Sequence, residues 1–245
     1  MSPDKRQHRG AHPSDRLLFA SDRLAALRTA TAELSWLLSR AYATKSALKL
    51  VGDRHHLNER QRLAVARAAC TDRQRKGRAA TCLPPEKLAG ESVVVDGFNL
   101  IITVEAALGG GLLIHSRDGC LRDLSSVHGS YRAVLETESA IRLVGDALAA
   151  LGVKSVRWLL DSPISNSGRL AQRIRETAAS RGWPWSVEVV FNPDSAIVAA
   201  DAEVAVTSDS LILDGAQRWT NLAAQLVRLY LPQAWLVDLG GGNEE

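Results

Sequence analysis

Four short apolar runs constrain the fold more than anything else in the chain: SVVV (92–95), SVRWLL (155–160), WSVEVVF (185–191) and AEVAVT (202–207). Between them lie stretches with helical apolar spacing, notably 125–152 and 166–182. Strands alternating with helices of this length predict parallel strands joined by right-handed crossovers, hence an α/β layered domain with a mostly parallel sheet. SVVV does not alternate apolar and polar residues, as expected of a strand covered on both faces. The next segment, DGFNLIITVEAAL, is open on its own. An Asp-Gly pair between apolar runs signals a two-residue hairpin; Leu100, Ile101, Val104 and Leu108 instead recur at helical spacing, weakened by β-branched neighbours. Repetition favours strand, Asp, helix. SVRWLL ends in Asp161, AEVAVT runs through Ser208 into Asp209, and WSVEVVF reaches Asp194 three positions after its last apolar residue.

The first third of the chain has a different character. Leu24, Leu27, Leu34, Leu37 and Leu38 predict an amphipathic helix from Ser21 to about Tyr42, and SALKLV predicts a shorter one. Asn58 with Gln61 resembles a capping box opening the helix NERQRLAVARAAC. Residues 1–90 hold 18 Lys and Arg against 8 Asp and Glu, so the remainder of the chain, with 12 against 19, is acidic. The connection VGDRHHLN is too long for a tight helix-turn-helix. TCLPPEKLAGES, rich in Pro and Gly, reads as a linker. The expected organisation is a basic helical domain at 1–82, a linker at 83–90 and an α/β domain at 91–245. Such a charge division suits one part that contacts polyanions and another that gathers carboxylates round a cation; mutual attraction of the two parts is the plainer alternative.

The four Asp lie at or just beyond the carboxyl ends of predicted parallel strands, the edge where ligands bind in open α/β sheets. Each alone reads as a turn residue or helix cap. Together they repel unless a cation neutralises them, and an all-oxygen set suits Mg²⁺ or Mn²⁺. A metal held this way polarises a phosphodiester and lowers the pKa of an attacking water.

VVVDGFNLI, WLLDSPISNSG, NPDSAI and VAVTSDS resemble the acidic series of the PIN and NYN superfamily of metal-dependent ribonucleases, over roughly 91–237. The resemblance implies an α/β/α fold, with Asp96, Asp161, Asp194 and Asp209 as catalytic metal ligands and Asn99 beside the first. It also implies a glutamate from an early helix, for which Glu105, Glu136 and Glu138 are the options; Asp214, in the short turn SLILD, is a further acid or equally a helix cap. Ser195 stands where the NYN pattern often has a second adjacent acid. The whole chain further resembles an uncharacterised prokaryotic family that joins a basic helical domain to a PIN-like domain, on SALKLVGDR, NERQRLAVAR, RDLSSVHGSYR and SNSGRL.

Two neighbouring stretches carry residues suited to RNA. Arg122, His128, Tyr131 and Arg132 combine charge with a stacking ring. Ser165, Asn166, Ser167 and Arg169 sit at an expected helix start, where free N–H groups favour an anion, although capping explains the first three equally. The expectation is an Mg²⁺- or Mn²⁺-dependent ribonuclease acting on single-stranded or structured RNA, with homo-oligomers as an option. A catalytically silent RNA- or protein-binding scaffold and a small-molecule phosphohydrolase are the rivals. Cys70, Cys82 and Cys120 form no zinc or disulfide pattern, and neither a signal peptide nor a membrane span is visible, so the expected location is the cytoplasm without membrane attachment.

Overall fold

Capping chemistry divides the basic segment into more helices than apolar spacing does. The computed structural model describes residues 7–125 and 129–241. It opens with α1 (Asp15–Leu18), α2 (Ser21–Leu38), α3 (Thr44–Arg54), α4 (Glu59–Ala68) and α5 (Asp72–Thr81). The Asn58/Gln61 capping box forms, and a second one, Thr71 with Gln74, opens α5. Arg73, Arg75, Lys76 and Arg78 therefore ride on a helix of their own. Before α3 the chain turns at Ala41 with φ of +62°, so α2 stops four residues short of Tyr42.

The rest alternates as expected: β1 (Ser92–Asp96), α6 (Gly97–Leu108), β2 (Leu112–His115), β3 (Leu121–Asp123), α7 (Thr137–Ala150), β4 (Ser155–Asp161) and α8 (Ser167–Arg181), then β5 (Trp185–Val190), α9 (Pro193–Val198), β6 (Val204–Val206), α10 (Ser210–Gly215), β7 (Trp219–Thr220), α11 (Leu222–Tyr230) and β8 (Trp235–Asp238). Five strands form one parallel sheet in the order β5-β4-β1-β6-β7. Val93 and Val95 pack under α6, α7, α8 and α11, while Val94 packs against Ile197 of α9 and Ile212 of α10. Helices thus cover both faces, giving the α/β fold with a preceding helical region. The chain leaves β1 for β4 on one side and returns to β6 on the other. That reversal places the ligand-binding crevice of an open sheet at the carboxyl ends of β1 and β6.

Three expectations give way. Residues 129–136 are not helical, and α7 starts only at Thr137. The apolar run AWLV (234–237), whose composition marks a possible edge strand, joins not the main sheet but a second one, β3-β2-β8, whose β2–β3 hairpin carries no clear apolar period. The linker is built into the fold: Leu88 is fully buried in the main core, and the N–H groups of Leu83 and Gly90 donate to the carbonyls of Trp219 and Gly152. Leu27, Leu34, Val51 and Val65 of the helical region share one core with Leu112, Ile114, Leu124, Val237 and Leu239. Among the described residues no helix is long and apolar enough to cross a membrane.

Candidate active site

Asp96 ends β1 and stands at the N-cap position of α6. Two neighbours hold it. The Thr207 hydroxyl donates to Asp96 Oδ2 at 2.9 Å, and the Asn99 backbone N–H donates to the same carboxylate. Thr207 Oγ1 also accepts from the Asp209 N–H at 2.9 Å, so one hydroxyl ties β1 to the segment after β6. One helical turn on, Asn99 Oδ1 accepts from both the N–H and the hydroxyl of Ser208, each at 2.9 Å. Asp96 and Asn99 together therefore clamp Thr207, Ser208 and Asp209.

Electrostatics report how close the acids are. Burial first, then the charges of Asp209 and Asp194, push Asp96 up to about 7, against the opposing bonds from Thr207 and Asn99. Burial also raises Asp194, helped by Asp209 and Asp161. Asp209 acts on both, so its charge lies within reach of Asp96 and of Asp194. Among the described residues none of the four forms an ion pair, whereas the buried Asp15, Glu105 and Asp118 each do. No three Asp, Glu, His or Cys side chains among the described residues close into a ready-made metal cage. Asp209 doubles as a cap, its Oδ1 accepting from the Leu211 N–H at 2.8 Å.

Family models match the chain in two segments. Residues 85–225 match Domain of unknown function (DUF5616), and 26–80 match Protein of unknown function (DUF434). The first covers more than half of the sequence. The chain belongs to the DUF5616 family. All four acids lie within the DUF5616 segment, and the DUF434 match runs from within α2 almost to the end of α5. The chain is also similar to Uncharacterized protein MJ0935 of Methanocaldococcus jannaschii, 29% identical over 187 residues that span 76% of this chain and 88% of that one. No solved structure matches.

Within the DUF5616 segment several expected site residues serve the scaffold instead. Glu105 is fully buried on α6 and accepts from Arg9 Nε at 2.6 Å and from the Tyr131 hydroxyl and Thr137 Oγ1 at 2.5 Å, so it completes a closed network and not the acid cluster. Tyr131 is accordingly no stacking surface: its ring is buried 5.3 Å from Phe98. Glu136 is held by His8, and Glu138 by Arg142. Asp214 accepts from Gln74 and from Arg78 Nε at 2.8 Å, which fixes α10 to α5. Arg122 reaches the crevice wall, but Asp118 holds its guanidinium through two 2.8 Å bonds and the Ser208 carbonyl takes a third, leaving little for a substrate.

Asn166 serves to bind the Tyr131 carbonyl rather than cap α8, Ser167 is buried, and Ser165 lines up with Ser130 in a bridge. Arg132 and Arg169 stay exposed together around a shallow pocket. His128 lies outside the described residues. Sequence reading missed Thr207, Asn99's bond to Ser208, and Asp123, which lines the crevice on β3. The TSD triplet carried a signal for the first; the short β3 carried none for the last.

Proposed function

We propose that the chain is a metal-dependent ribonuclease, a PIN-like α/β domain whose Asp96, Asp161, Asp194 and Asp209 serve hydrolysis of RNA phosphodiester bonds. One observation carries it: a buried carboxylate, Asp96, raised to about 7 by burial and by neighbouring acids, with no cationic side chain beside it among the described residues. Folding tolerates such a group where a function requires it, and perturbed carboxylates in a crevice mark functional sites. The donors are all hard oxygens, which fits Mg²⁺ or Mn²⁺ held by Asp96, Asp194 and Asp209 with Asp161 alongside. Such an ion supplies activation of water and neutralisation of the phosphodiester. Thr207, Asn99 and Ser208 fix the carboxylates in place. Phe191, 81% exposed just before Asp194, offers the flat surface on which an unpaired base stacks, the task expected of Tyr131.

A cytoplasmic setting belongs to the same proposal, supported by three free cysteines. A catalytically silent RNA-binding scaffold is the second reading, favoured by the lack of a preformed cage among the described residues. Mn²⁺-dependent cleavage of a single-stranded RNA separates the two. Asp96→Asn and Asp209→Asn are expected to lower the rate at least ~10³-fold, the order seen when key transition-state stabilisation is removed, with an unchanged circular dichroism spectrum. Equal rates in variants and wild type reject the assignment. RNA binding without Mn²⁺ binding or cleavage establishes the scaffold.

A further inference from the structure

Beside Asp209 a cavity of about 460 Å³ is walled from both parts of the chain. That volume lies within the roughly 300–1,000 Å³ of small-molecule sites. Ala66 of α4 and Phe98 and Ile102 of α6 give it apolar walls, and Asn99 and Ser208, bonded to each other beside Asp209, supply polar groups together with Asp123. The backbone N–H of Ser208 can only donate, so the Asn99 atom facing it is the carbonyl oxygen and the amide NH₂ is left as a donor. Asp123 adds acceptors: Oδ1 accepts from the Ser125 N–H and lies 3.8 Å from Arg67 Nη1, while Oδ2 shares the Thr103 hydroxyl with the nearer Asn99 carbonyl and so keeps lone-pair capacity.

The two arginines on the wall are spent. Arg67 donates to the carbonyls of Asp123 and Ser125, and Arg122 to Asp118 and the Ser208 carbonyl. With no free cation among the described residues that line it, the cavity is poorly suited to phosphate. Apolar walls with a donor and an acceptor suit a flat, uncharged heterocycle.

We propose that this cavity holds one unpaired nucleobase of the RNA, flanking the phosphodiester at the acids, so that the helical segment helps to choose the nucleotide next to the cut. Its placement beside a scissile bond rests on the ribonuclease reading; its capacity for a base does not. Ala66 is the residue to change, because it lines the cavity from α4 and touches none of the acids' hydrogen bonds.

The full chain is titrated calorimetrically with AMP, GMP, CMP and UMP, and with ribose 5-phosphate as the base-free probe. At least one nucleotide is expected to bind tenfold or more tightly than ribose 5-phosphate. Ala66→Phe, which fills the cavity, is expected to weaken that nucleotide at least tenfold while the Mn²⁺-induced rise in Tm persists. Ala66→Leu serves if the larger ring disturbs folding, as near-ultraviolet circular dichroism will report. Nucleotides no tighter than ribose 5-phosphate, or an affinity indifferent to both substitutions, overturn the proposal. Base-dependent binding lost on filling, with no Mn²⁺ response and no RNA cleavage, upholds the base pocket and removes the ribonuclease reading. RNA cleavage with an unaltered flanking-nucleotide preference in the filled variants does the reverse.

Discussion

Holding an acid among acids has a thermodynamic cost that pH reads out. Asp96 titrates at about 7 in the folded chain against 3.8 when free, so the native state binds its proton more tightly than the unfolded state does. For such a group the stability contribution is fully present below 3.8 and is lost as pH rises through about 7. The span corresponds to an order of 4 kcal/mol. Asp96→Asn removes the charge and keeps an oxygen to accept from Thr207. The expected result is a variant about 1–3 kcal/mol more stable than wild type at pH 8, with the difference shrinking towards pH 5. Urea unfolding at the two pH values measures it, and a variant less stable at pH 8 contradicts the account. If the proposed ion binds, saturating Mn²⁺ is expected to reverse the order, since an ion that binds only the folded wild type adds about 4.1 kcal/mol at a thousandfold excess over its Kd.

Among the elements, the Asp-Gly pair that made 96–97 ambiguous has a steric explanation that residue patterns do not carry. Gly97 opens α6 against β4: a Cβ there would stand 2.5 Å from Leu160 Cδ2 and 2.9 Å from the Leu159 carbonyl oxygen. The glycine is needed for close approach, whereas a hairpin needs one for positive φ. A second Asp-Gly pair, at 118–119, is the hairpin turn between β2 and β3, with Gly119 at φ of +81°. Gly97→Ala is therefore expected to cost about 1–3 kcal/mol and to shift Asp96 and Asn99 together, lowering Mn²⁺ affinity. Gly168→Ala, with open space around its Cβ in the first turn of α8, is expected to be neutral or slightly stabilising. Thermal melts of the pair test the distinction; equal effects contradict it. The four long-range strands and their terminal acids were legible because repetition reinforces a weak local signal. β2 and β3, of four and three residues, were not, because strands that short show no period. The fates of Glu105, Asp214 and Tyr131 were hidden for another reason: each is decided by a partner far along the chain, whereas Arg122 is held by Asp118 only four residues before it.

For the molecule as a whole, part of the opposite charge of the two segments meets across their junction: among the described residues Arg9, Arg67 and Arg78 of the basic part pair with acids of the other. Arg9 pairs with Glu105, and Arg78 reaches both Asp118 and Asp214. Burial alone would raise Asp118, yet Arg122 and Arg78 bring it to about 2. The basic side chains of α5 outside those pairs are Arg73, Arg75 and Lys76, all exposed. The helical segment is thus part of the fold before it is a binding appendage, and a fragment of residues 83–245 tests that. Its removal uncovers Leu112, Ile114, Leu124, Val237 and Leu239, each worth about 1.5–3 kcal/mol when buried. Five such losses match the whole stability of a typical domain, roughly 5–15 kcal/mol. Glu105 also loses Arg9, which leaves a buried carboxylate without its cation, and breaking a buried pair on one side costs about 3–5 kcal/mol more. The fragment is expected to lack a cooperative thermal transition and to aggregate, although every residue of the acidic crevice is present. A fragment that melts cooperatively would instead make the helical segment an independent attachment, and the shared wall at Ala66 an incidental contact.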